Sequence, residues 1–390
     1  MLKKLLLGAL MLLLPALASA QERLVVGISQ FPSTMHPSFD SMLAKSYVAA
    51  MTRRKITVYD PDWKLTCLLC TELPQLEKGT AEHIDMADGT PGIAVTFELD
   101  PRAVWGDGIP ITTKDVLFTW RVGRNEATGI DNLELYRRIE NVVAHDDRRF
   151  TMHINKRSCE YQAINDFNLL PAHIDAANFD PDPREYRHRT AYDRDPTNPG
   201  LWYGPYRITE IAPGQHIRLV RNEKWWGKRP FFDEILVRAI ENTAALSANL
   251  LSGEIDMIAG ELGLTMDQAL AFERRHKEKY EFLFQPGLIY EHIDLNLDNP
   301  ILADRRVRRA LLQGLDRDAI SQQLFSGRQP VAHGQIHPLD DVYFKNIPRY
   351  AHDPKSAASL LEEAGWKKGA RGIRHNGAGE PLQLELMTTA

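Results

Sequence analysis

The chain has 390 residues, of which 25% are charged, and a formal net charge of −5. This mildly acidic balance argues against a nucleic-acid-binding protein, because that function depends on a basic surface. The length exceeds one ordinary domain and predicts two or three domains.

The amino terminus has the parts of a secretory signal peptide in their usual order. A lysine pair precedes the apolar run 5–14, and the tripeptide ASA at 18–20 supplies the small residues of a cleavage site. The run is too short to span a membrane, which takes about 20 residues. A buried helix of the mature domain is the alternative. Residues 1–20 therefore predict an exported protein that is cleaved near Ala20-Gln21.

Three cysteines, Cys67, Cys70 and Cys159, leave several pairings open. An exported protein could hold a local Cys67–Cys70 disulfide, a disulfide from one of that pair to Cys159, or buried thiols. A redox C-x-x-C motif usually opens a helix in a βαβ unit, and the residues around this pair lack that pattern. A zinc site needs four ligands, so three cysteines alone do not predict one.

The first half of the chain contains two clear strand patterns. The apolar run 24–29 predicts a buried strand that leads into a turn-rich loop, and 95–99 alternates as a half-buried strand does. A helix is predicted from Thr112, which can cap it, with Asp115 near the positive end of the helix dipole.

Residues 175–200 contain four prolines, many charges and no apolar period. This composition predicts a long surface connection, and it makes the segment the best candidate for a domain boundary.

A β-hairpin is predicted over 206–221, with Pro213 and Gly214 at the central positions of a type II turn. The run 232–240 then predicts a strand, 242–254 a helix that ends at Gly253, and 255–258 another strand. This succession of strand, helix and strand is typical of an α/β unit. Leucines 246, 250 and 251 are expected on one face of the helix.

The last third of the chain is also predicted to contain both strands and helices. Residues 292–298 alternate as a strand, 303–315 predict a helix, and a further helix is predicted to start at Pro354 and end at Gly365. Residues 382–389 predict a final strand.

Sequence motifs for catalysis and metal binding are missing or incomplete. The chain has no G-x-S-x-G, H-E-x-x-H or G-x-x-x-x-G-K motif. Asp294, Asn296 and Asp298 resemble the start of a calcium loop, but Asn299 and Arg305 stand where glycine and the last carboxylate are needed. We therefore predict no catalytic residues, no metal and no cofactor.

A histidine pair gives a further metal candidate. His333 and His337 are four residues apart, but Gly334 and Pro338 argue against a helix that would align them. A solvated loop is the favoured interpretation over a metal site.

Five segments, in the same order along the chain, resemble the extracellular solute-binding proteins of family 5, the periplasmic components of oligopeptide, dipeptide and nickel ABC importers. The segments are FELDPRAVWGDGIPITTKDVLFTW, GPYRITEIAPGQHIRLVRNEKWWGKRPFFDEI, LLSGEIDMI, YEHIDLNLDNPILADRRVRRALLQGLDRDAI and DPKSAASLLEEAGW. Each segment alone is a weak signal, but five in the same order behind a signal peptide are strong, and the resemblance extends over about residues 24–385.

The resemblance implies an α/β, periplasmic-binding-protein-like fold of two lobes joined by a hinge, with an extra lobe. Lobe I is expected from 21–50 and 200–258, the extra lobe from 51–199, and lobe II from 260–390. Family members run well beyond the last matching helix, so lobe II is expected to be incomplete here. In the family, an aspartate that recognises the amino terminus of the peptide lies in that further part. No residue of this chain is therefore assigned that role.

The implied function is that of the periplasmic substrate-binding component of an ABC importer. It captures a peptide-like solute between lobes, delivers it to a membrane permease, and works as a monomer without enzymatic activity. The family also includes proteins for a nickel chelate, an oligosaccharide or an opine, and the sequence does not separate these ligands. A periplasmic hydrolase and a receptor that feeds a sensor are further alternatives.

Candidate ligand-binding residues lie where predicted strands end in irregular loops. They are Phe31, Met35, His36, Trp202, Tyr203 and Tyr290. Ordinary loop packing explains each of them equally well. Trp225 and Trp226 after the hairpin are favoured as part of the scaffold, with stacking on a ligand as the alternative.

Overall fold

The computed structural model describes residues 22–285, 287 and 290–387. The predicted signal peptide, residues 1–20, lies outside the described residues. The chain divides into two compact units, the first ending at Gly263 and the second beginning at Leu264.

The first unit contains most of the β-structure. Its strands are β1 (Arg23–Ile28), β2 (Thr57–Tyr59), β3 (Leu65–Cys67), β4 (Ala81–Asp85), β5 (Pro91–Glu98), β6 (Ile139–Ala144), β7 (Arg149–Ile154), β8 (Tyr206–Ala212), β9 (His216–Arg221), β10 (Glu234–Ala239) and β11 (Met257–Ile258). Its helices are α1 (Leu43–Thr52), α2 (Thr113–Arg124), α3 (Leu133–Arg138), α4 (Ala172–Phe179), α5 (Tyr186–Arg189), α6 (Ala191–Arg194) and α7 (Thr243–Ser252).

A five-stranded mixed sheet has the order β11-β1-β10-β9-β8. Strand β1 pairs in parallel with both β10 and β11 and lies between them. The predicted succession of strand, helix and strand is therefore confirmed: helix α7 connects β10 to β11, which are parallel strands of the same sheet. The sheet uses residues 23–28 and 206–258, which lie in the ranges expected for lobe I. The division into lobes stays a prediction.

The predicted hairpin is confirmed as the antiparallel pair β8 and β9. Its turn is closed by a hydrogen bond from the Gln215 N–H to the Ala212 carbonyl, 2.9 Å between N and O. Gly214 has a φ of +70°, the positive value that glycine adopts without strain.

Helix α7 ends as predicted, with Gly253 at a φ of +81°. Leu246 and Leu250 are buried, but Leu251 is exposed, so the prediction of one shared face is wrong for Leu251. At 3.6 residues per turn, Leu251 lies about 140° around the helix from Leu246 and points away from the sheet.

A second, antiparallel sheet has the order β4-β5-β7-β6. Val95, Phe97 and Leu99 are buried, as the alternation over 95–99 predicts, and Ile93 of the same strand is buried as well. The predicted cap of α2 is also confirmed. Thr112 and Asp115 form a capping box, and Asp115 is itself buried.

The prediction of a surface connection over 175–200 is wrong. The segment forms the end of α4, then α5, α6 and two short 3-10 helices, and it buries Phe179, Tyr186 and Tyr192. Four-residue helices are too short to show an apolar period, so local composition hides them. Burial of these aromatic rings makes the segment part of the core of the first unit.

The cysteine pairing is local. A disulfide joins Cys67 at the end of β3 to Cys70, and Cys159 is an exposed free thiol.

The second unit is mainly helical. Its helices are α8 (Met266–His276), α9 (Pro300–Ala303), α10 (Arg305–Gly314), α11 (Arg317–Phe325) and α12 (Pro354–Glu363), and its strands are β12 (Lys367–Lys368) and β13 (Arg374–His375). The predicted helices over 303–315 and from Pro354 are confirmed, and Gly365 follows α12 with a φ of +92°.

Two strands predicted for this unit are wrong within the described residues. Residues 292–298 and 382–387 form no strand, and residues 388 and 389 of the second prediction lie outside the described part. A strand requires a partner that exchanges backbone hydrogen bonds, which an alternating sequence cannot provide for itself. Side chains such as Ile293, Leu297 and Leu386 are accordingly exposed.

Candidate functional site

A cavity of about 420 Å³ lies along one face of α1 in the first unit; we call it the α1 cavity. Met42, Lys45, Ala49 and Arg53 line it from the helix side. These residues are three or four positions apart, and the helical repeat therefore places them on one face.

Further residues that line the α1 cavity come from two loops and from α3. They are Asp131, Asn132, Tyr136, Asp166 and Asn168. Asn132 caps α3 by accepting a hydrogen bond from the Leu135 N–H, 3.2 Å between Oδ1 and N. The Asp131 and Asp166 side chains belong to exposed residues. The cavity thus carries Lys45 and Arg53 on the helix side, and two carboxylates on the loops, of which Asp166 is paired with the exposed Lys55.

Lys45 is a buried cation that faces main-chain oxygens. Its Nζ donates to the His36 carbonyl at 2.9 Å and to the Phe39 carbonyl. Burial, and then the charge of Arg53, lower the pKa of Lys45 to about 8. The ammonium form therefore predominates at neutral pH, although the protein disfavours it.

Arg53 is 7% exposed and immediately follows the last residue of α1. Within the described part of the chain, its Nε and Nη1 atoms are buried without a hydrogen-bond partner, and the residue forms no ion pair. Leaving these two nitrogens buried without acceptors is costly, because their hydration has been lost and nothing has replaced it.

The backbone around Gly204 holds the carboxyl end of α1 in place. The Tyr203 and Gly204 N–H groups both donate to the Thr52 carbonyl, with N–O distances of 3.1 and 2.8 Å. The Tyr203-Gly204 backbone, just before the hairpin, therefore fixes the end of α1 next to Arg53.

A second cavity of about 650 Å³ shares Arg54 and Leu68 with the α1 cavity. Trp225, Trp226 and the Cys67–Cys70 disulfide also line it. The Arg54 guanidinium carbon lies 4.8 Å from the ring centroid of Trp225, a cation–π arrangement. Trp226 packs against the core, which fits a scaffold role, and both tryptophans line this cavity. Stacking of either ring on a ligand stays the alternative prediction.

The sequence-predicted ligand residues occupy different places. Four are buried in the first unit, namely Met35, His36, Trp202 and Tyr203. Three of them form ring contacts in the core. The Tyr192 ring lies 5.2 Å from His36 and 5.5 Å from Trp202, and Tyr203 meets the ring of Trp105 at 4.7 Å.

The other two candidates are more accessible. Phe31 is half-buried and packs against the same core, and Tyr290, in the second unit, is 39% exposed and stacks on His292. The burial of the first four residues fits ordinary packing. A ligand-binding role for any of the six stays a prediction.

Sequence reasoning missed Lys45 and Arg53. The available signal was two cations on one face of an otherwise apolar helix, eight residues apart. Such a face is usually solvated, and only the fold reveals that these two side chains are buried.

No group of three or more His, Cys, Asp or Glu side chains in the described residues is placed to hold a metal ion. In the same part of the chain, none of the helices combines the length and the apolar character that crossing a membrane requires.

Comparison with known proteins places these features in a family context. Residues 80–390 match the family described as bacterial extracellular solute-binding proteins, family 5 Middle. The chain is 26% identical over 296 residues to oligopeptide-binding protein AppA of Bacillus subtilis, covering 74% of this chain and 51% of that protein. It is 30% identical over 285 residues to oligopeptide-binding protein OppA of Mycobacterium bovis, covering 70% and 46%.

A solved structure is similar over most of the chain. The oligopeptide-binding protein of Thermus thermophilus, complexed with a pentapeptide, superposes with a TM-score of 0.64 at 27% identity, over 92% of this chain and 66% of that one. The chain spans about half the length of the curated relatives it matches.

Proposed function

We propose, from the premise that the chain belongs to the bacterial extracellular solute-binding proteins of family 5, that it is the substrate-binding component of an ABC importer for a peptide-like solute. The observation that carries the proposal is the α1 cavity, which Lys45 and Arg53 line from the helix side and Asp131, Asp166 and Lys55 line from other segments.

A zwitterionic solute fits this distribution of charge. A peptide has an ammonium group that Asp131, or Asp166 beside its exposed partner Lys55, can accept, and a carboxylate that Lys45 and Arg53 can bind. The cavity volume of about 420 Å³ lies in the range of ordinary small-molecule sites. A neutral oligosaccharide would leave charges of both signs without partners.

The similarity to oligopeptide-binding proteins supports the same choice of solute. Two of the similar proteins carry that name, and the similar structure from Thermus thermophilus holds a pentapeptide. Capture between two lobes, expected from the sequence, stays a prediction.

The remaining parts of the proposal concern cellular context. The chain acts in the periplasm after removal of residues 1–20, as a monomer, and hands its solute to a membrane permease. It carries out no covalent chemistry, because retention and release by differential affinity for two conformations are sufficient for transport.

Isothermal titration calorimetry tests the proposal with a panel from dialanine to penta-alanine. Saturable binding of at least one peptide is expected, unchanged by EDTA and with the peptide recovered intact. Binding abolished by EDTA would indicate a metal chelate, and cleaved peptide would indicate a hydrolase. Absence of binding across the panel, together with binding of a nickel–histidine complex or an oligosaccharide, would overturn the proposal.

A further inference from the structure

We propose that Arg53 and Lys45 form a receptor for an anionic oxygen group of the solute, in the α1 cavity. This inference rests on the proposed function, which supplies the transported solute. It specifies which chemical group of that solute the first unit binds. A peptide-like solute carries this group as a carboxylate.

The unpartnered guanidinium of Arg53 is the main evidence. Nε and Nη1 are buried without acceptors among the described residues, yet Arg53 lines a cavity large enough for a ligand. Arg218 provides the contrast. Its Nε is also buried without a hydrogen bond, but it lies 3.1 Å from the Glu210 carboxylate, so its charge is paired. Among the described residues, Arg53 has no such carboxylate.

Lys45 adds a second donor to the same cavity. An ammonium group has three N–H donors, and Lys45 uses two of them on the His36 and Phe39 carbonyls. The third N–H remains for another acceptor. The unfavourable interaction between Lys45 and Arg53, which helps to lower the pKa of Lys45, would be relieved by an anion bound to both.

Neither of the two carboxylates that line the α1 cavity pairs with Arg53, although the charge of Asp131 acts on Lys45 and raises its pKa against the effect of burial. Asp166 lies 3.6 Å from the exposed Lys55 ammonium, and Asp131 is on an exposed loop residue. Neither forms a hydrogen bond or an ion pair with Arg53 among the described residues. A planar carboxylate matches the parallel N–H donors of a guanidinium, which favours this class of anion.

The variant Arg53→Met separates a binding role from a structural one. Removal of a buried cation without partners should leave the free protein as stable as wild type or more stable, so Tm should not fall. A guanidinium that stabilised the fold would give the opposite result. Arg148→Met removes the same charge from an exposed residue of the first unit and serves as the matched control.

The binding test uses sodium glutarate as a carboxylate probe, with sodium chloride at the same ionic strength as the reference. Glutarate is expected to raise Tm of wild type and Arg148→Met, and to bind Arg53→Met about 10- to 100-fold more weakly. Arg53→Gln serves as a second variant if Arg53→Met fails to fold. Equal binding of glutarate by wild type and the Arg53 variants, or no binding by wild type, would overturn the inference.

Trialanine and its carboxy-terminal amide separate this inference from the proposed function. If both peptides bind wild type equally, and Arg53→Met binds them equally too, peptide binding stands and the anion receptor is overturned. If glutarate depends on Arg53 while no peptide of the panel binds, the receptor stands and the peptide function fails.

Discussion

His36 and Tyr186 meet in the core of the first unit, with 3.2 Å between His36 Nε2 and the Tyr186 hydroxyl oxygen. Tyr186 donates its proton to Asp175, so the histidine must be the donor in this contact. His36 Nδ1 accepts from the Ser38 N–H at 3.1 Å. Both ring nitrogens are therefore satisfied in a single neutral tautomer.

This arrangement predicts a loss of stability in acid. Burial lowers the pKa of His36 well below its usual value, and the cations Lys45, Arg53 and Arg187 lower it further. Below about pH 6.5 the unfolded chain binds a proton at this position that the folded protein does not, so the free energy of unfolding falls as pH falls, by up to about 1.4 kcal/mol per pH unit.

Urea unfolding at pH 7, 6 and 5 measures this slope. His36→Gln should have a shallower dependence than wild type, whereas His188→Gln, at an exposed position, should keep the wild-type dependence. An unchanged slope in His36→Gln would contradict the assignment of a neutral buried histidine.

Asp175 is the next member of the same network, and Asp175→Asn is predicted to destabilise the protein by about 2–4 kcal/mol. The carboxylate accepts from the Tyr186 and Thr190 hydroxyls, the Ala191 N–H and the Asn178 amide. An asparagine would face those donors with an NH₂ group that cannot accept.

Chemical denaturation of Asp175→Asn and Asp180→Asn checks this prediction. Asp180, just after α4, has an exposed ion pair with Arg121, so its substitution should change stability by less than about 1 kcal/mol. Similar losses in the two variants would argue against the buried network.

Gly204→Ala is predicted to be strongly destabilising, by about 3 kcal/mol or more. A Cβ at this position would lie 2.5 Å from the Thr52 carbonyl carbon and 2.6 Å from the Arg53 nitrogen, and backbone atoms cannot move aside as a flexible side chain can. Gly214→Ala meets no atom within 4 Å, so its cost comes only from the positive φ and is about 1 kcal/mol.

Thermal unfolding compares these two alanine variants. If Gly204→Ala proved as stable as Gly214→Ala, the close backbone contact between Gly204 and the end of α1 would not contribute to stability.

The cysteine assignment predicts one reactive thiol in the unreduced protein. Alkylation without reductant should label Cys159 alone, and alkylation after reduction should label all three cysteines. Peptide mass mapping locates the labels. Labelling of Cys67 or Cys70 before reduction would contradict the local disulfide.

Local sequence signals predicted those parts of the fold that local interactions determine. The hairpin turn at Pro213-Gly214, the cap at Thr112 and the stop at Gly253 each depend on a few neighbouring residues. The error over 175–200 arose because that segment gains its structure from long-range burial. The two absent strands show the same limit, since strands depend on partners distant in sequence.

The candidate site was less predictable than the fold. Aromatic residues beside strand ends, such as Trp202 and Tyr203, attract attention in a sequence, but here they are packed in the core. What distinguishes Arg53 is the absence of a partner among the described residues, and a sequence does not show which charges the fold leaves unpaired.

Native mass spectrometry of the full protein, purified without denaturant from its own cells, tests peptide binding most directly. The expected result is a set of bound species with the masses of short peptides, lost on denaturation and restored by added peptide. Bound species with the masses of sugars or metal chelates, or a protein that stays unliganded after incubation with a peptide mixture, would contradict the proposed function.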